Sequence, residues 1–553
     1  MVQRALGGWL IVLGFAIAVA WLLLVRSVLP AGPFLWDEGY HALWAARIAA
    51  DLRAGDLLGV AYDSYRQVYW PPLYSWLVAP VILLGGYSTE LVRSVGLIAL
   101  VATSLTLYAA GRGFGSGNAA LLGGLTASAV LLGSRAVLDL ATQAMLELPA
   151  LFFLASGLWL YGRIWCAGGV SSPAYAGLGA VIVLTFLAKQ NYGVLLGLAI
   201  GGAFLIDGEW LRLRPSPMAR RRRRGQLLAA GVTLLLLAVW FAYPQKIVQT
   251  LQSLRNTPWG PDASSLDGML FYPRQLGWLA GTWWMAGVWL LALAASLRPA
   301  SLRDGRLRLL LLLIVLQGVF AQLSATKIDR HIIPLVPAFA LLVGAQASQL
   351  ARIRPRLVLA AVVLVVVVQG VDVLPAIRPA GDPSLREPLL AAVAAVGAST
   401  LVVGNIDLPY SPATLDWELL RGGVLSVDGA GSLSLASESR FASGVLPRLP
   451  EPLGQPLRRL PERWPGAAGA ATLYVGLPLD APDLELRASG LPRAIASATG
   501  RRAFDRALAI VPISSPRFPD ATVETVVAAL QGAGFRAGAD QKAGATIVVA
   551  LER

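Results

Sequence analysis

Asp37 and Glu38 stand side by side in LWDEGYHALWAARIAADL at 35–52, flanked by Trp36 and Tyr40. One of the two could serve as general base for an acceptor hydroxyl. The pair could equally cap the helix that starts near Gly39, since carboxylates favour helix N-termini. A third carboxylate, Asp139, follows Arg135 in GSRAVLDLATQAMLELP. It could face the same chemistry, or form a plain i,i+4 pair worth about 0.3 to 0.5 kcal/mol. Lys189 interrupts the apolar stretch 173–206 in FLAKQNYG. An ionisable group so close to hydrocarbon is a functional candidate, and a lysine can hold a phosphate as a point charge. Its other reading is a turn whose lysine snorkels to the interface. Lys327, Asp329, Arg330 and His331 cluster in TKIDRHIIPLVP. There Arg330 could meet phosphate oxygens with its planar fork, or the cluster could be a charged outer turn.

Other chemistries are closed off by residue counts. Cys166 is the only cysteine, so neither an intramolecular disulfide nor a multi-cysteine metal site can form. With His41 and His331 the only histidines, a His-rich zinc site is excluded. A mixed carboxylate–histidine site stays open, and a hard divalent cation held through carboxylate oxygen is the one cofactor these residues could take. GRGFGSG at 111–117 departs from the spacing of a dinucleotide loop and follows no strand. A sugar transferase working outside the cell has no cytosolic nucleotide sugars to draw on. A lipid-carried donor would meet that need.

The elements that must position these residues are written in the composition. Of 553 residues, 56% are hydrophobic and 14% charged, against about 25% charged in soluble proteins. Apolar runs long enough to cross a bilayer recur from Gly7 to Val373, near 7–29, 91–111, 118–134, 142–163, 173–188, 191–206, 226–243, 274–296, 309–326, 332–350 and 357–375. Eleven spans are thus expected. The net charge of +14 sits in loops bearing Arg4, Arg112, Arg163, Arg212, Arg214, Arg220 to Arg224, Arg298, Arg303, Arg306, Arg308, Arg352, Arg354 and Arg356, opposed there only by Asp207, Glu209 and Asp304. Such clustering is the positive-inside signal, and it argues against nucleic acid as a partner.

With the N-terminus inside, the acidic pair, Asp139, Lys189 and the 327–331 cluster all fall on the outer face of an inner membrane. The first apolar run is long for a cleaved signal, and no A-x-A site follows it, so a retained anchor is expected. The stretch Val68 to Gly86 is read as non-spanning: YWPPLYSW at 69–76 combines a proline pair with aromatics that settle at headgroup level. Helix 35–52 is expected to lie in the interface, with Trp44, Ile48 and Leu52 on its apolar face and Arg47 and Asp51 between them. From Ala376 the anions and cations balance at 17 each, and a soluble domain over 376–553 follows the membrane domain of 1–375. TLVVG (400–404), TLYVG (472–476), ALAIVP (507–512) and ATIVVAL (545–551) read as strands, and 521–535 as a helix. The fold class is therefore an all-α polytopic membrane domain with a C-terminal α/β soluble domain.

Taken in order, LWDEGYHALWAARIAADL, YWPPLYSWL, RSVGLIALV from Arg93, SRAVLDLATQAMLELPALFF, LTFLAKQNYG and DRHIIPLVPAFALL resemble the GT-C glycosyltransferases. The nearest kinds are the bacterial protein mannosyltransferases and the lipid A aminoarabinose transferase. The resemblance spans roughly residues 10–350 and rests on the ordered set of motifs. It implies a GT-C fold of about eleven spans with juxtamembrane helices in the first outer loop, a polyprenyl-phosphate-linked sugar as donor, and a glycan, lipid or protein as acceptor. The family's acidic pair maps to Asp37 and Glu38, its second-loop aspartate to Asp139, its motif lysine to Lys189 and its late basic residue to Arg330. Many relatives carry a lysine just before the proline pair, where this chain has Trp70; Arg66, four residues earlier, is the substitute candidate.

On this reading Asp37 or Glu38 deprotonates the acceptor, attack inverts the anomeric carbon, and Lys189 and Arg330, backed by Arg135, stabilise the departing phosphate. Asp139 then orients the first-loop helix or the acceptor, because like carboxylates close together oppose each other's ionisation. No metal is required. A lipid-linked sugar translocase or transporter would use the same charges to bind headgroups without breaking a bond. A non-catalytic assembly scaffold would tolerate amide substitution of the acidic pair.

Overall fold

A computed structural model describes residues 2–67, 70–167, 172–207, 216–242, 246–247, 250, 260–324, 326–386, 400–405, 412–421, 471–475, 505–512, 523–543 and 546–552. The described chain divides into two compact units. The first comprises Met1–Arg26, Tyr69–Leu73 and Gly96–Arg378; the second comprises Ser27–Val68, Tyr74–Val95 and Pro379–Arg553. Residues 27–68 and 74–95 therefore fall with the tail. Arg212, Arg214, Glu209, Gly476 and Ala545, used in the reading above, lie outside the described residues.

The helices are α1 (Val2–Leu23), α2 (Trp36–Arg53), α3 (Leu57–Arg66), α4 (Leu73–Gly85), α5 (Thr89–Arg112), α6 (Gly117–Leu132), α7 (Arg135–Ala141), α8 (Glu147–Cys166) and α9 (Ser172–Ala188). There follow α10 (Gln190–Ile206), α11 (Pro217–Phe241), α12 (Leu266–Ala280), α13 (Trp283–Ser296), α14 (Gly305–Leu323), α15 (Leu335–Ala351), α16 (Pro355–Asp372), α17 (Pro412–Arg421) and α18 (Val523–Gly532). Among the described residues, six helical stretches have the length and apolarity to cross a membrane: Leu6–Val28, Thr89–Arg112, Glu147–Cys166, Pro217–Phe241, Gly305–Leu323 and Pro355–Ala376. Helices α9, α10 and α15 are apolar at 17 residues each, about 26 Å long. Helix α4 has only 13 residues with Pro80 inside it. At about 20 Å it is well short of a hydrocarbon core of about 30 Å.

One expected span differs in shape. The run 274–296 is not one straight helix: α12 and α13 meet at 106°, and α6 and α7 likewise meet at 64°. Gly281 makes the sharper corner at φ +93°, a left-handed conformation that glycine alone adopts freely. The corners lock together. Ser134 donates to the Leu279 carbonyl, and Gln369 Nε2, fully inside the first unit, donates to the Gly133 and Ala280 carbonyls at 3.3 Å each. Backbone groups freed by the breaks are thus satisfied by neighbouring helices, as a low-dielectric setting demands. The uninterrupted apolarity of 274–296 concealed the break.

Helices α6 and α15 approach until their backbones touch. A Cβ on Gly344 would stand 2.7 Å from the Gly123 carbonyl oxygen, and one on Gly123 would stand 3.0 Å from that of Gly344. Small residues permit this close packing where lipid tails offer no hydrophobic drive. Every residue of α15 from Leu335 to Ala345 is buried, which fits a helix apolar all round.

In the second unit, α2 departs from the interfacial expectation. Arg47 and Asp51 are buried while Leu52 is exposed, so the polar stripe faces protein instead of water. Arg47 Nη1 lies 3.9 Å from Asp63 Oδ1 of α3 and its guanidinium covers Trp44. Gln67 accepts from Ser75 Oγ at 2.8 Å and Ser64 Oγ accepts from Trp76 Nε1 at 2.8 Å, tying α3 to α4. The tail forms a five-stranded sheet from β1 (Thr400–Asn405), β2 (Ala471–Val475), β3 (Arg506–Pro512), β4 (Arg536–Ala543) and β5 (Thr546–Glu552), in the order β2-β1-β3-β5-β4. Strands β2, β1 and β3 run parallel; β5 and β4 are antiparallel additions. Strand β4 and helix α17 were not anticipated. The former is a polar edge strand, RAGADQKA, without the apolar alternation that announces a strand.

Candidate active site

Two groups of charged side chains gather the sequence candidates, one in each unit. In the first unit, Glu147 opens α8, where the helix dipole favours an anion, and its side chain is buried. Lys189 caps α10 at the break that splits the apolar run 173–206, and its ammonium pairs with Glu147 Oε1. Arg330 comes from the short 3₁₀ turn Asp329–Ile332, with Nε 3.9 Å from the same Glu147 oxygen. Tyr192 completes the group: its ring lies 5.1 Å from Lys189 Nζ, and its hydroxyl donates to the Arg330 carbonyl at 3.4 Å. Two cations thus converge on one carboxylate oxygen.

His331 adjoins this group. Burial, then the Lys189 and Arg330 charges, push its imidazole down from 6.5 to about 4, so it is neutral at pH 7. Its Nδ1 and Glu147 Oε2 are both buried without a hydrogen-bond partner among the described residues. Lys327, from the same charged run, has another job. It is buried and donates to the Ala321 and Gln322 carbonyls, capping the C-terminus of α14.

Asp139 also lies in the first unit. Its Oδ2 accepts from Trp278 Nε1 at 2.9 Å, and Arg135 Nε stands 3.6 Å away on the next turn of α7. The i,i+4 pair is present, and the indole bond adds a long-range anchor. Arg135 and Asp139 keep 43% and 25% exposure, enough for a ligand to reach both.

In the second unit, Asp37 and Glu38 occupy the first turn of α2 and part company in environment. Glu38 is wholly buried. Its Oε1 accepts from Arg93 Nε and its Oε2 from Arg93 Nη2, both at 2.8 Å, while the Leu35 amide donates to Oε2 at 2.8 Å. Arg93 spends its remaining donors on the Gly32 and Pro33 carbonyls, at 2.9 and 3.2 Å, and its guanidinium covers the Phe34 ring at 5.1 Å. The turn from Gly32 to Glu38 is therefore stitched from one side by a single arginine. Asp37, next in the chain, is partly exposed. Arg66 ends α3, and its side chain lies outside the described residues.

Glu147, Arg93, Tyr192 and Trp278 were not among the candidates. Glu147 and Arg93 carried a usable signal: each is an ionisable residue inside an apolar run, the same mark that drew attention to Lys189. Nothing in the local sequence points to Tyr192 or Trp278. Among the described residues, no three His, Cys, Asp or Glu side chains gather as a metal site would need.

No family model matches the chain, and no curated protein matches it. Solved structures do. The crystal structure of ArnT from Cupriavidus metallidurans bound to undecaprenyl phosphate aligns at TM-score 0.60 and 15% identity, over 98% of this chain and 98% of that one. The same enzyme in the apo state aligns at 0.60 and 15%, over 99% and 98%. A weaker likeness, TM-score 0.48 at 11% identity over 98% of this chain and 74% of the other, links it to the archaeal oligosaccharyltransferase AglB from Archaeoglobus fulgidus. Over 98% of its length the chain thus shares the fold of ArnT.

Proposed function

We propose that this protein is an inner-membrane glycosyltransferase that moves a sugar from a polyprenyl-phosphate donor to an acceptor hydroxyl on the extracytoplasmic face, with inversion. The observation that carries the reading is the pairing of Lys189 and Arg330 on the one buried carboxylate of Glu147. One anion between two cations holds both at one place, where they can meet a phosphate together. The full-length likeness to a transferase crystallised with undecaprenyl phosphate supports it.

In the proposed step, the acceptor oxygen attacks the anomeric carbon as the bond from that carbon to the phosphate oxygen breaks. The hydroxyl proton passes to Asp37, and the electron pair of the broken bond stays on the phosphate. Asp37 takes the basic role because it is partly exposed, within reach of an acceptor, whereas Glu38 is wholly buried. Lys189 and Arg330 meet the growing phosphate charge, a preorganised arrangement effective in a site of low dielectric. Arg135, and Arg66 in place of the lysine missing at Trp70, are secondary phosphate contacts, and Asp139 orients the acceptor. The topology proposed is an inside N-terminus and an outside tail, from the basic loops.

The test is release of polyprenyl phosphate from labelled lipid-linked sugars by purified wild type, Asp37→Asn and Lys189→Met, with envelope glycan, lipid or protein extract as acceptor. Release by wild type that Asp37→Asn abolishes supports the transferase. Movement of the intact sugar phosphate across a vesicle, with its bond conserved, would establish the translocase instead.

A further inference from the structure

The turn that precedes Asp37 is gripped from a second side, by the segment that follows the last membrane helix. The Gly32 amide donates to the Ala380 carbonyl at 2.9 Å, and a Cβ on Gly32 would sit 2.3 Å from the Asp382 carbonyl oxygen. Arg386 donates to the Leu29 carbonyl at 2.8 Å and pairs with Glu90. Helix α17 closes the grip. Thr414 Oγ1 donates to the Phe34 carbonyl at 2.9 Å, and Trp417 Nε1 donates to Thr89 Oγ1 at 2.9 Å. The Trp417 ring, wholly buried, lies 5.2 Å from Phe34 and 6.0 Å from Tyr87.

These contacts form one chain of packed groups. Trp417 presses on Phe34, Phe34 lies under the Arg93 guanidinium, and Arg93 holds both Glu38 oxygens and the carbonyls of Gly32 and Pro33. Asp37 sits between the two fixed points, with Glu38 on one side and the Phe34 turn on the other. A tail that served only to bind an acceptor would have no reason to bury an indole and a threonine against this turn.

We infer that Trp417, with Thr414, is a positioning residue for Asp37: residues 380–386 and helix α17 set the orientation of the base through Phe34 and Arg93, and this part of the tail thereby belongs to the catalytic apparatus. This rests on the transferase reading above. It also assigns the tail a role that the arrangement of strands alone does not suggest.

The experiment uses the full-length protein in detergent or nanodiscs, with kinetics and amide hydrogen exchange measured on Trp417→Ala, Trp417→Phe, Thr414→Val, Glu38→Gln and the Trp417→Ala/Glu38→Gln double variant. Trp417→Ala should lower kcat at least tenfold while donor KM stays within twofold, and Trp417→Phe, which keeps the ring packing, should recover most of the loss. Because Trp417 acts through Arg93 and Glu38, adding Trp417→Ala to Glu38→Gln should cost much less than it costs in the wild type. Exchange at the Leu35 and Gly39 amides should rise in Trp417→Ala. Unchanged kcat in Trp417→Ala, or full additivity in the double variant, overturns the inference. Should no form turn over the donor, wild type included, the transferase reading falls while the exchange data still decide the coupling: faster exchange at 35–39 in Trp417→Ala upholds it, and unchanged exchange sinks it.

Discussion

Glu38 and Arg93 meet through two parallel hydrogen bonds of 2.8 Å, with both side chains at 0% exposure. The fork-to-fork geometry uses the planar guanidinium in a way a lysine could not reproduce. Removing one member of such a buried pair strands the other charge, at about 3 to 5 kcal/mol. Glu38→Gln and Arg93→Met are each expected to lower thermal stability by an amount in that range. The double variant should lose less than the two singles together, because neither charge is left alone; a melting series in detergent checks both statements.

Asp37→Asn separates the two acidic neighbours. The amide keeps the size of the side chain and its place in the first turn of α2 but cannot accept a proton, so kcat should fall by about 10²- to 10⁴-fold. Donor affinity should be unaffected, since the proposed phosphate contacts lie elsewhere in the chain. Steady-state kinetics at saturating acceptor provide the check, and a stability equal to wild type should accompany the loss.

Lys189→Met and Arg330→Lys probe the shared carboxylate. The first removes the partner that pairs with Glu147 Oε1 and should raise donor KM roughly tenfold, equivalent to about 1.4 kcal/mol. The second keeps the charge and loses the fork, so its effect should be smaller. Binding of undecaprenyl phosphate measured by intrinsic fluorescence, rich in signal with 17 tryptophans, ranks the two.

His331 sets a pH dependence of stability. Its value of about 4 in the fold lies below the ordinary 6.5 of the unfolded chain, so between those limits the unfolded state binds a proton that the native state does not. The contribution is complete above pH 6.5, declines as the pH falls and is gone below about 4. It amounts to at most about 3 kcal/mol. Melting temperatures from pH 7 to pH 4 should fall less steeply in His331→Gln than in the wild type. Parallel curves would contradict the assignment.

Gly281 and Gln369 report on the paired corners. Gly281→Ala puts a Cβ 2.0 Å from the Gly133 carbonyl oxygen at a φ of +93°, so the corner must open, at a cost of at least about 2 kcal/mol. Gln369→Leu leaves two buried carbonyls short of a donor, about 1 to 3 kcal/mol. Yield of folded, monodisperse protein after extraction distinguishes these from a neutral control such as Gly287→Ala, whose Cβ would meet nothing within 4 Å.

Much of this architecture was legible in the chain because bilayer physics constrains it so tightly. Each of the eleven apolar runs includes helix among the described residues, but only six helices, or eight counting each bent pair as one, have the length and apolarity of a span, and the Pro-aromatic cluster around Trp70 precedes a helix too short to span. The candidates Lys189 and Arg330 were visible as charges in apolar surroundings, and the structure brings them to one carboxylate. What stayed hidden depends on tertiary partners. Glu147 and Arg93 are visible as charges inside apolar runs, but their roles come from partners 42 and 55 residues away, which no local pattern reveals. The corner at Gly281 has no proline to announce it, and the buried polar stripe of α2 has the same periodicity as a solvent-facing one.

The seam between Gly123 and Gly344 has a mechanical consequence. Where two backbones touch, there are no side chains to change rotamer and no slack to absorb a displacement, so α6 and α15 translate as one beam. The Gly133 and Gly281 corners are packed as closely, a Cβ on Gly281 falling 2.0 Å from the Gly133 carbonyl oxygen, and the Ser134 and Gln369 hydrogen bonds brace them further. Seam and corners alike are stiff contacts, and where they fall is set by where the chain places its glycines.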